Sequence, residues 1–439
     1  MLFNSLQYAA FLPAVLIVYW RLQRRGQNFL LLGASWFFYA LFGWRFLGLM
    51  LLSTATDYTV GRRLARAESR RRAIFAVSLV VNLGTLALFK YYGFFIGSAR
   101  HVLAPLGLDP GSPVLNVVLP VGISFYTFHG ISYTFDVFRG TIRPARSFLD
   151  FACFVAYFPQ LVAGPIGRAE VQLPQFEQPR TKPTWDEVRG ALFLILQGLF
   201  KKIAVADAIA PYVNTVFRDT SHAGWMSCAV AIFGFAIQIY ADFSGYTDIA
   251  IGSSRLFGIA LLKNFEQPYL SRNITEFWQR WHISLSTWLR DYLYIPLGGN
   301  RGSAWATYRN LLLTMLIGGL WHGARWTFVA WGGMHGALLA VHRHLRRGEP
   351  DVSRAGRPWR SARDLPATLA TFTIVALLFV FFRAPGFSEA LHVLAGLITA
   401  RPGPVDADAV IVLAYCLVAV FGIDLAQRGT HDDAAPLHW

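Results

Sequence analysis

Apolar segments long enough to cross a lipid bilayer recur along the whole chain, for example at residues 3–20, 73–96, 226–250 and 368–382. A spanning helix needs roughly 20 apolar residues. Of the 439 residues, 54% are hydrophobic and only 15% are charged. The sequence therefore predicts an all-α, polytopic integral membrane protein with on the order of ten helical passes. We expect one membrane-embedded domain over residues 1–439.

The first apolar segment, residues 3–20, could also be a secretory signal peptide. Signal peptides begin with basic residues. Here no basic residue precedes the segment, and Arg21, Arg24 and Arg25 follow it. We therefore expect this segment to remain in the protein as a helix.

The net charge of +15 could indicate a nucleic-acid partner, but the distribution of the basic residues favours a membrane topology. They cluster between apolar segments, for example at residues 62–72 and 343–363, as cytoplasmic loops do. Anionic lipid is therefore the expected partner of these clusters, and nucleic acid is not. Some of these basic residues could also bind a phosphorylated cofactor at the cytoplasmic face.

The basic loops set the expected direction of each segment. Two short apolar runs, residues 29–42 and 46–60, lead to the cytoplasmic loop at residues 62–72. Residues 73–96 then cross outward, and residues 97–113, which are rich in proline and glycine, are predicted to be an external loop. This assignment rests on the excess of arginine in cytoplasmic loops.

The next part of the chain is predicted to contain a re-entrant element. After residues 114–138 return to a basic loop, the apolar residues 148–165 are interrupted by Pro159, Gly164 and Pro165. The stretches before and after this segment are both basic. The segment is therefore expected to enter and leave the membrane on the cytoplasmic side. Irregular backbone at membrane depth is tolerated only where protein or a cavity covers it, which suggests a cavity wall.

Residues 191–217 are predicted to cross outward and residues 225–257 to return. The first of these segments is interrupted by two consecutive lysines with no evident partner. The second carries Asp242 and Asp248, which are acids at membrane depth. They could form a cation or proton site, or they could pair with an arginine, and the sequence leaves both possibilities open.

Residues 311–341 lie between two basic flanks and contain about 30 residues, too few for two complete spans. They predict a hairpin of half-length helices that turns near Gly318, Gly319 and Gly323. His322 would then lie close to the turn and well inside the membrane.

A second histidine lies in residues 275–293, which we interpret as one helix. On such a helix Thr275, Gln279, His282 and Ser286 share a polar face at about 100° per residue. Three aromatic side chains gather on nearly the opposite face: Phe277, Trp281 and Trp288. An interfacial amphipathic helix with an aromatic belt explains this pattern equally well.

The surroundings of His322 favour a reaction centre. Glycines around it let backbones approach closely, and Trp321 supplies a rigid wall. Imidazole suits a general base near neutral pH, although a packing histidine is the alternative. His335 is a secondary candidate, because a continuous helix would turn it away from His322.

Several other chemistries lack their motifs in this sequence. It contains no His-Glu-x-x-His zinc motif, no phosphate-binding glycine loop and no Gly-x-Ser-x-Gly nucleophile motif. We therefore expect no metal site.

The motifs resemble those of the membrane-bound O-acyltransferase superfamily, most closely the bacterial branch of the alginate O-acetylase membrane subunit. The teichoic acid D-alanyl transfer protein is a more distant relative. The similar stretches run in family order and lie at residues 1–5, 119–126, 158–166, 240–248, 277–299 and 321–336. The last hundred residues resemble the family only as hydrophobic segments.

The resemblance implies a fold of about ten to twelve helices with re-entrant segments around a central channel. His322 stands at the position of the family's catalytic histidine, and His282 stands at the second site position, within Arg-Trp-His. Secondary candidates for the site are His335, Gln279, Trp321 and Asp242.

Acetyl-CoA is the implied acyl donor, with no permanently bound cofactor, and Arg280 and Arg290 are candidates for contacting its phosphates. The implied acceptor is a hydroxyl group on an exported polysaccharide or on a secreted acyltransferase partner. The implied location is the bacterial inner membrane.

Two other functions are compatible with the residues alone. A transporter of a solute or lipid-linked sugar could use His322, Asp242 and Asp248 as polar stations without making a bond. A non-catalytic scaffold of an envelope complex is the second alternative. Measuring acyl transfer from a labelled donor would distinguish an enzyme from a transporter and from a scaffold.

The topology predicts opposite sides for two loops. In a variant that lacks the native cysteines, Ser112→Cys should react with a membrane-impermeant thiol reagent in intact cells. Ser353→Cys should react only after the membrane is opened, because arginine-rich loops stay in the cytoplasm. Labelling of both positions from outside would contradict the hairpin and the cytoplasmic entry of the donor.

Overall fold

All regular secondary structure in the described residues is helical. The computed structural model describes residues 1–107, 118–162, 164–346 and 362–427. The chain divides into two compact units. The first consists of Met1–Val188 with Ser253–Leu262, and the second of Arg189–Gly252 with Lys263–Trp439.

The helices of the first unit are, in chain order, α1 (Leu6–Tyr19), α2 (Arg24–Arg66), α3 (Arg71–Leu86), α4 (Tyr92–Leu103), α5 (Ile123–Arg139), α6 (Phe148–Ala156), α7 (Phe158–Leu161) and α8 (Ala169–Glu177).

The helices that follow are α9 (Trp185–Leu199), α10 (Asp207–Arg218), α11 (Trp225–Leu256), α12 (Ile274–Arg280), α13 (Ile283–Leu289), α14 (Ala304–His322), α15 (Trp326–Leu345), α16 (Leu365–Arg383), α17 (Phe387–Ile398) and α18 (Ala407–Ala426).

Five helical segments in the described residues are long and apolar enough to cross a membrane, which confirms the prediction of an all-α, polytopic membrane protein. They are Arg24–Arg66, Arg71–Leu106, Trp225–Leu256, Leu365–Arg383 and Ala407–Ala426.

The two short runs at residues 29–42 and 46–60 belong to α2, which has 43 residues and a kink between them. Gly43 lies at the kink with φ 154°, and a side chain there would collide with Phe46. This is a backbone conformation that glycine adopts without steric cost. The sequence therefore located the interruption correctly.

The predicted external loop at residues 97–113 begins too early. A π-helical turn, Ala87–Tyr91, joins α3 to α4, and a 3-10 turn, Ala104–Leu106, continues the helix. Residues 97–106 are therefore helical, because Pro105 lies in the first turn of the 3-10 segment, where proline is tolerated. Residues 108–117 lie outside the described residues.

The apolar segment at residues 148–165 is broken, as predicted. It forms α6 and α7, which are separated by Tyr157 with φ −53° and ψ 111°. Its backbone is held from within the unit, since the Nε2 atom of Gln160 donates to the carbonyl oxygen of Phe154 at 2.8 Å. Both helices are largely buried, so protein covers this irregular backbone.

A buried carboxylic acid that the sequence did not single out links three helices of the first unit. Asp57 on α2 is 0% exposed and accepts hydrogen bonds from Ser78 at 2.6 Å and Asn82 at 2.9 Å on α3. Gly130 on α5 lies against the same carboxyl group, where a side chain would collide with it. The hydrogen bonds replace those that the carboxyl group of Asp57 would make with water, which lowers the cost of burying it.

The hairpin predicted over residues 311–341 is confirmed, but its half-length helices are not. The helices α14 and α15 contain 19 and 20 residues. At 1.5 Å per residue, each is about 28–30 Å long, close to the thickness of the hydrocarbon core. The predicted helices were too short because α14 and α15 include part of their polar flanks. His322, the last residue of a full-length helix, therefore lies at the end of that helix rather than well inside the membrane, as was predicted.

Helices α9 and α11 pack through glycines. A Cβ atom added to Gly198 would lie 2.5 Å from the carbonyl oxygen of Gly245, and one added to Gly245 would lie 2.7 Å from that of Gly198. By contrast, Gly190, on the same helix as Gly198, has open space around it. The two helices can therefore approach this closely only without side chains at residues 198 and 245.

We expect Gly198→Ala and Gly245→Ala each to lower the free energy of unfolding by about 1–3 kcal/mol, because the helices must move apart. The matched control, Gly190→Ala, should leave stability unchanged or raise it by up to about 1 kcal/mol. Thermal unfolding of the detergent-purified variants measures the difference. Equal stability of Gly245→Ala and Gly190→Ala would contradict this packing.

Candidate active site

His322 is the last residue of α14, directly before the turn of the hairpin. The turn spans residues 323–325, and α15 begins at Trp326. The two helices touch through Gly319 and Gly332: a side chain on either would collide with a backbone carbonyl of the other helix. Close packing of small residues therefore brings the backbones together beside His322.

Aromatic rings surround the imidazole of His322. The ring centroids of Trp321, Trp331 and Phe382 lie 4.9, 5.3 and 5.3 Å from that of His322. His322 itself is only partly buried. The ring is thus held between aromatic side chains and remains partly accessible.

His282 lies at a break between two helices, and the prediction of one continuous helix over residues 275–293 is wrong. Helix α12 ends at Arg280, Trp281 is extended, and His282 precedes α13 with a left-handed backbone at φ 43°. Periodicity did not detect the break, because the polar and aromatic residues keep a helical spacing in the sequence on both sides of it.

A buried asparagine holds this break in place. The backbone N–H of Ile283 donates to the carbonyl oxygen of Asn264 at 2.8 Å, and the hydroxyl of Ser284 donates to the Oδ1 atom of Asn264 at 2.6 Å. The Nδ2 atom of Asn264 donates to Thr247 at 3.3 Å. Asn264 therefore positions the residues that follow His282, and no sequence motif pointed to it.

The structure brings His282 and His322 together. Their ring centroids are 6.3 Å apart, with an angle of 61° between the ring planes. His282 is 2% exposed, and its Nδ1 atom has no hydrogen-bond partner among the described residues. Phe243 on α11 also contacts this ring, with the two ring centroids 4.7 Å apart. A single bound group could contact both imidazoles.

Two secondary candidates lie near the pair in different ways. Trp321 contacts both rings, with centroids 6.3 Å from His282 and 4.9 Å from His322. His335 lies behind Trp331, at 4.9 Å, and its Nδ1 atom accepts a hydrogen bond from Trp278 at 3.2 Å. Trp331 therefore separates His335 from His322.

Gln279 and Asp242 do not join the histidine pair. Gln279 is exposed on α12. Asp242 forms an ion pair with Lys202 at 2.6 Å, and Lys202 also contacts Asp207 at 2.8 Å. The partner of Asp242 is thus a lysine rather than an arginine.

The second intramembrane acid has a similar partner. Asp248 on α11 pairs with Lys201 at 2.8 Å and accepts a hydrogen bond from Gln197 at 3.1 Å. The two consecutive lysines that interrupt residues 191–217 are therefore the counter-ions of the acids on α11. A buried charge needs such a partner.

The two arginines considered for phosphate binding have carboxylate partners. Arg280 pairs with Glu276 at 2.8 Å, and Arg290 contacts Asp291 at 2.5 Å. Within the residues that the structure describes, no three His, Cys, Asp or Glu side chains are grouped to hold a metal ion.

The family model of MBOAT, the membrane-bound O-acyltransferase family, matches residues 123–353, which include both histidines and the hairpin. The chain belongs to this family. It is therefore an acyltransferase, and the alternatives of a transporter and of a scaffold are set aside.

Three relatives show the range of the family. The chain is 41% identical to "Probable alginate O-acetylase AlgI" of Azotobacter vinelandii, over 94% of this chain and 83% of the relative. It is 36% identical to the peptidoglycan O-acetyltransferase of Helicobacter pylori, over 91% and 80% of the two chains. The teichoic acid D-alanyltransferase of Bacillus subtilis is 27% identical over 64% and 71%.

The left-handed backbone at His282 predicts how substitutions there affect stability. His282→Asn should be more stable than His282→Val by about 1–2 kcal/mol, because asparagine tolerates this conformation and β-branched residues do not. Both variants lack the imidazole, so the comparison isolates the backbone. Thermal unfolding in detergent measures it, and equal midpoints would show that residue 282 is not held in this conformation.

Proposed function

We propose that this protein transfers an acetyl group from acetyl-CoA to a hydroxyl acceptor, with His322 as the general base. The observation that carries the proposal is the pair of imidazoles, 6.3 Å apart between centroids, beside the turn of the hairpin in a member of an acyltransferase family.

The reaction is an acyl transfer from sulfur to oxygen. The acceptor hydroxyl attacks the thioester carbonyl carbon while His322 takes the hydroxyl proton. The new C–O bond forms, the C–S bond breaks, and the proton passes from the imidazolium to the departing CoA thiolate. His322 thereby returns to its neutral form, and no oxidant or reductant is consumed.

His282 is proposed to orient the thioester and to stabilise the negative charge that develops on its carbonyl oxygen. A donor N–H aimed at that oxygen contributes most where water is excluded. The burial of His282 and the contact of its ring with Phe243 support such a role. Asn264 would act by holding the backbone after His282.

The CoA thioester is proposed to enter from the cytoplasm, since CoA does not cross the bilayer. Arg280 and Arg290 remain candidates for its phosphates, and binding there would require exchange of the contacts with Glu276 and Asp291. Phosphate and carboxylate compete for the same guanidinium geometry, so such an exchange is chemically feasible.

We propose an acceptor hydroxyl on an exported glycan or on a secreted acyltransferase partner, and a location in the bacterial inner membrane. The relatives act, by their names, on alginate, peptidoglycan and teichoic acid, which are envelope or extracellular polymers. This supports an acceptor on the side opposite to the donor.

The proposal is tested by measuring the rate at which purified protein transfers the label from radiolabelled acetyl-CoA to an acceptor glycan. The His322→Gln variant should lose about 10²–10⁴-fold in transfer rate, because proton removal from the hydroxyl is lost. His282→Ala should also be severely impaired. His335→Ala is the matched control, since this buried histidine lies behind Trp331, and its loss should be smaller.

Each variant must purify as a monodisperse, folded protein for the comparison to hold. Wild-type activity in a folded His322→Gln variant would contradict the assignment of the base. A loss in His335→Ala equal to that in His322→Gln would contradict the separation of the two histidines by Trp331.

A further inference from the structure

A buried ion pair lies next to the asparagine that holds the backbone after His282. Lys201 belongs to a π-helical segment, Phe200–Ala206, that follows α9, and its Nζ atom lies 2.8 Å from a carboxylate oxygen of Asp248 on α11. The two residues are only 6% and 8% exposed. The pair is therefore buried within the second unit, where a charge that loses its partner is costly.

A short chain of contacts connects this pair with His282. The residue directly before Asp248 is Thr247, whose hydroxyl accepts the hydrogen bond from the Nδ2 atom of Asn264 at 3.3 Å. Through its carbonyl and Oδ1 oxygens, Asn264 accepts hydrogen bonds from the two residues after His282. One residue of α11 and one asparagine thus separate the ion pair from the break at His282.

Asp248 and Asn264 also line one polar cavity, together with Lys201 and Thr247. The carboxylate of Asp248 and the amide of Asn264 therefore face the same space. A carboxylate that loses a cation at 2.8 Å competes more strongly for N–H donors near it, because hydrogen bonds to charged groups are stronger than those to neutral ones. With Lys201 in place, the Asn264 amide donates to the neutral hydroxyl of Thr247 instead.

We propose that Lys201 and Asp248 are positioning residues for His282. The ammonium group of Lys201 compensates the carboxylate of Asp248, so that the Asn264 amide stays with Thr247 and Asn264 holds the left-handed backbone at His282 in place. The inference rests on the proposed function, in which His282 stabilises the developing charge. Neither charged residue takes part in the chemical step, which remains with the two histidines.

A second pair on the same two segments provides the matched control. Lys202, the next residue, pairs with Asp242, which lies six residues before Asp248 on α11. The side chain of Asp242 is 41% exposed, against 12% for Asp248. Among the described residues, Asp242 does not line the cavity that contains Asn264. Lys202→Met therefore removes the same charge from the same segment without freeing a carboxylate beside Asn264.

The test measures kcat and KM for labelled acetyl-CoA, with an alginate oligosaccharide as the acceptor, after the relative of Azotobacter vinelandii. Lys201→Met should lower kcat about tenfold and leave KM within about twofold, because a displaced His282 loses an interaction made in the transition state. Lys202→Met should change kcat by less than about twofold, since its pair is more exposed. An unchanged kcat in Lys201→Met, or an equal loss in both variants, overturns the proposal.

A second substitution separates positioning from a general loss of packing. In Lys201→Met/Asp248→Asn the competing carboxylate is absent, so kcat should return to within about threefold of the wild type although the ion pair is gone. Lys201→Arg should also stay within about threefold, because arginine keeps the charge. A double variant that is folded but as slow as Lys201→Met overturns the proposal.

Modification of His282 by diethyl pyrocarbonate, resolved by mass spectrometry, reports the position of this residue without any acyl transfer. His335, which is 0% exposed, is the internal reference. Relative to His335, Lys201→Met should raise the modification rate of His282 about fivefold, because the segment around it opens, and the double variant should not.

The labelling also distinguishes the two proposals. An unchanged modification rate of His282 in folded Lys201→Met overturns the positioning role, whatever the kinetics. If the wild type neither hydrolyses acetyl-CoA nor transfers its acetyl group while the labelling pattern is as expected, the proposed function fails and the positioning of His282 stands.

Discussion

The backbone contact between Gly319 and Gly332 is the constraint on which the geometry of the site depends. Without a Cβ atom at either position, α14 and α15 pack closely enough for the turn to follow immediately after His322. The same contact brings Trp331 of α15 against the ring of His322. Because membrane helices associate chiefly by close packing, a bulky residue at this contact would displace the catalytic candidate.

Charge compensation explains which polar groups remain available for chemistry. Asp242 and Asp248 are paired with two lysines, and Arg280 with Glu276. These pairs reduce the cost of burying charge. His282 and His322 lie instead among aromatic rings. The polar groups of this unit thus separate into pairs that stabilise the fold and a histidine pair that is suited to proton transfer.

Much of the fold could be predicted because hydrophobic length and loop charge act locally. The break in α2 at Gly43, the broken segment around Tyr157 and the hairpin turn near Gly323 were all visible as glycine, proline or charge in the sequence. The left-handed backbone at His282 was not, since the residues that follow His282 are held by Asn264, which lies outside both short helices. The lengths of α14 and α15 were predicted too short, because the polar residues at the ends of these helices are also typical of loops.

The candidate site could likewise be predicted only in part, because contacts between separate elements are not visible in the sequence. His322 and His282 were identified from residue type and motif, whereas their separation depends on tertiary packing. Periodicity could not pair Asp248 with Lys201, because it relates residues within one helix only. For the same reason Phe382, which lies against His322, carried no signal in the sequence.

In the proposed reaction, the histidine pair lies between a donor that enters from the cytoplasmic side and an acceptor on the opposite side. Inverted membrane vesicles with an acceptor oligosaccharide trapped inside and labelled acetyl-CoA outside test this most directly. We expect acetylation of the trapped glycan in inverted vesicles, and none in right-side-out vesicles supplied with the same external donor. Equal acetylation in both orientations, above that of vesicles without the protein, would contradict it.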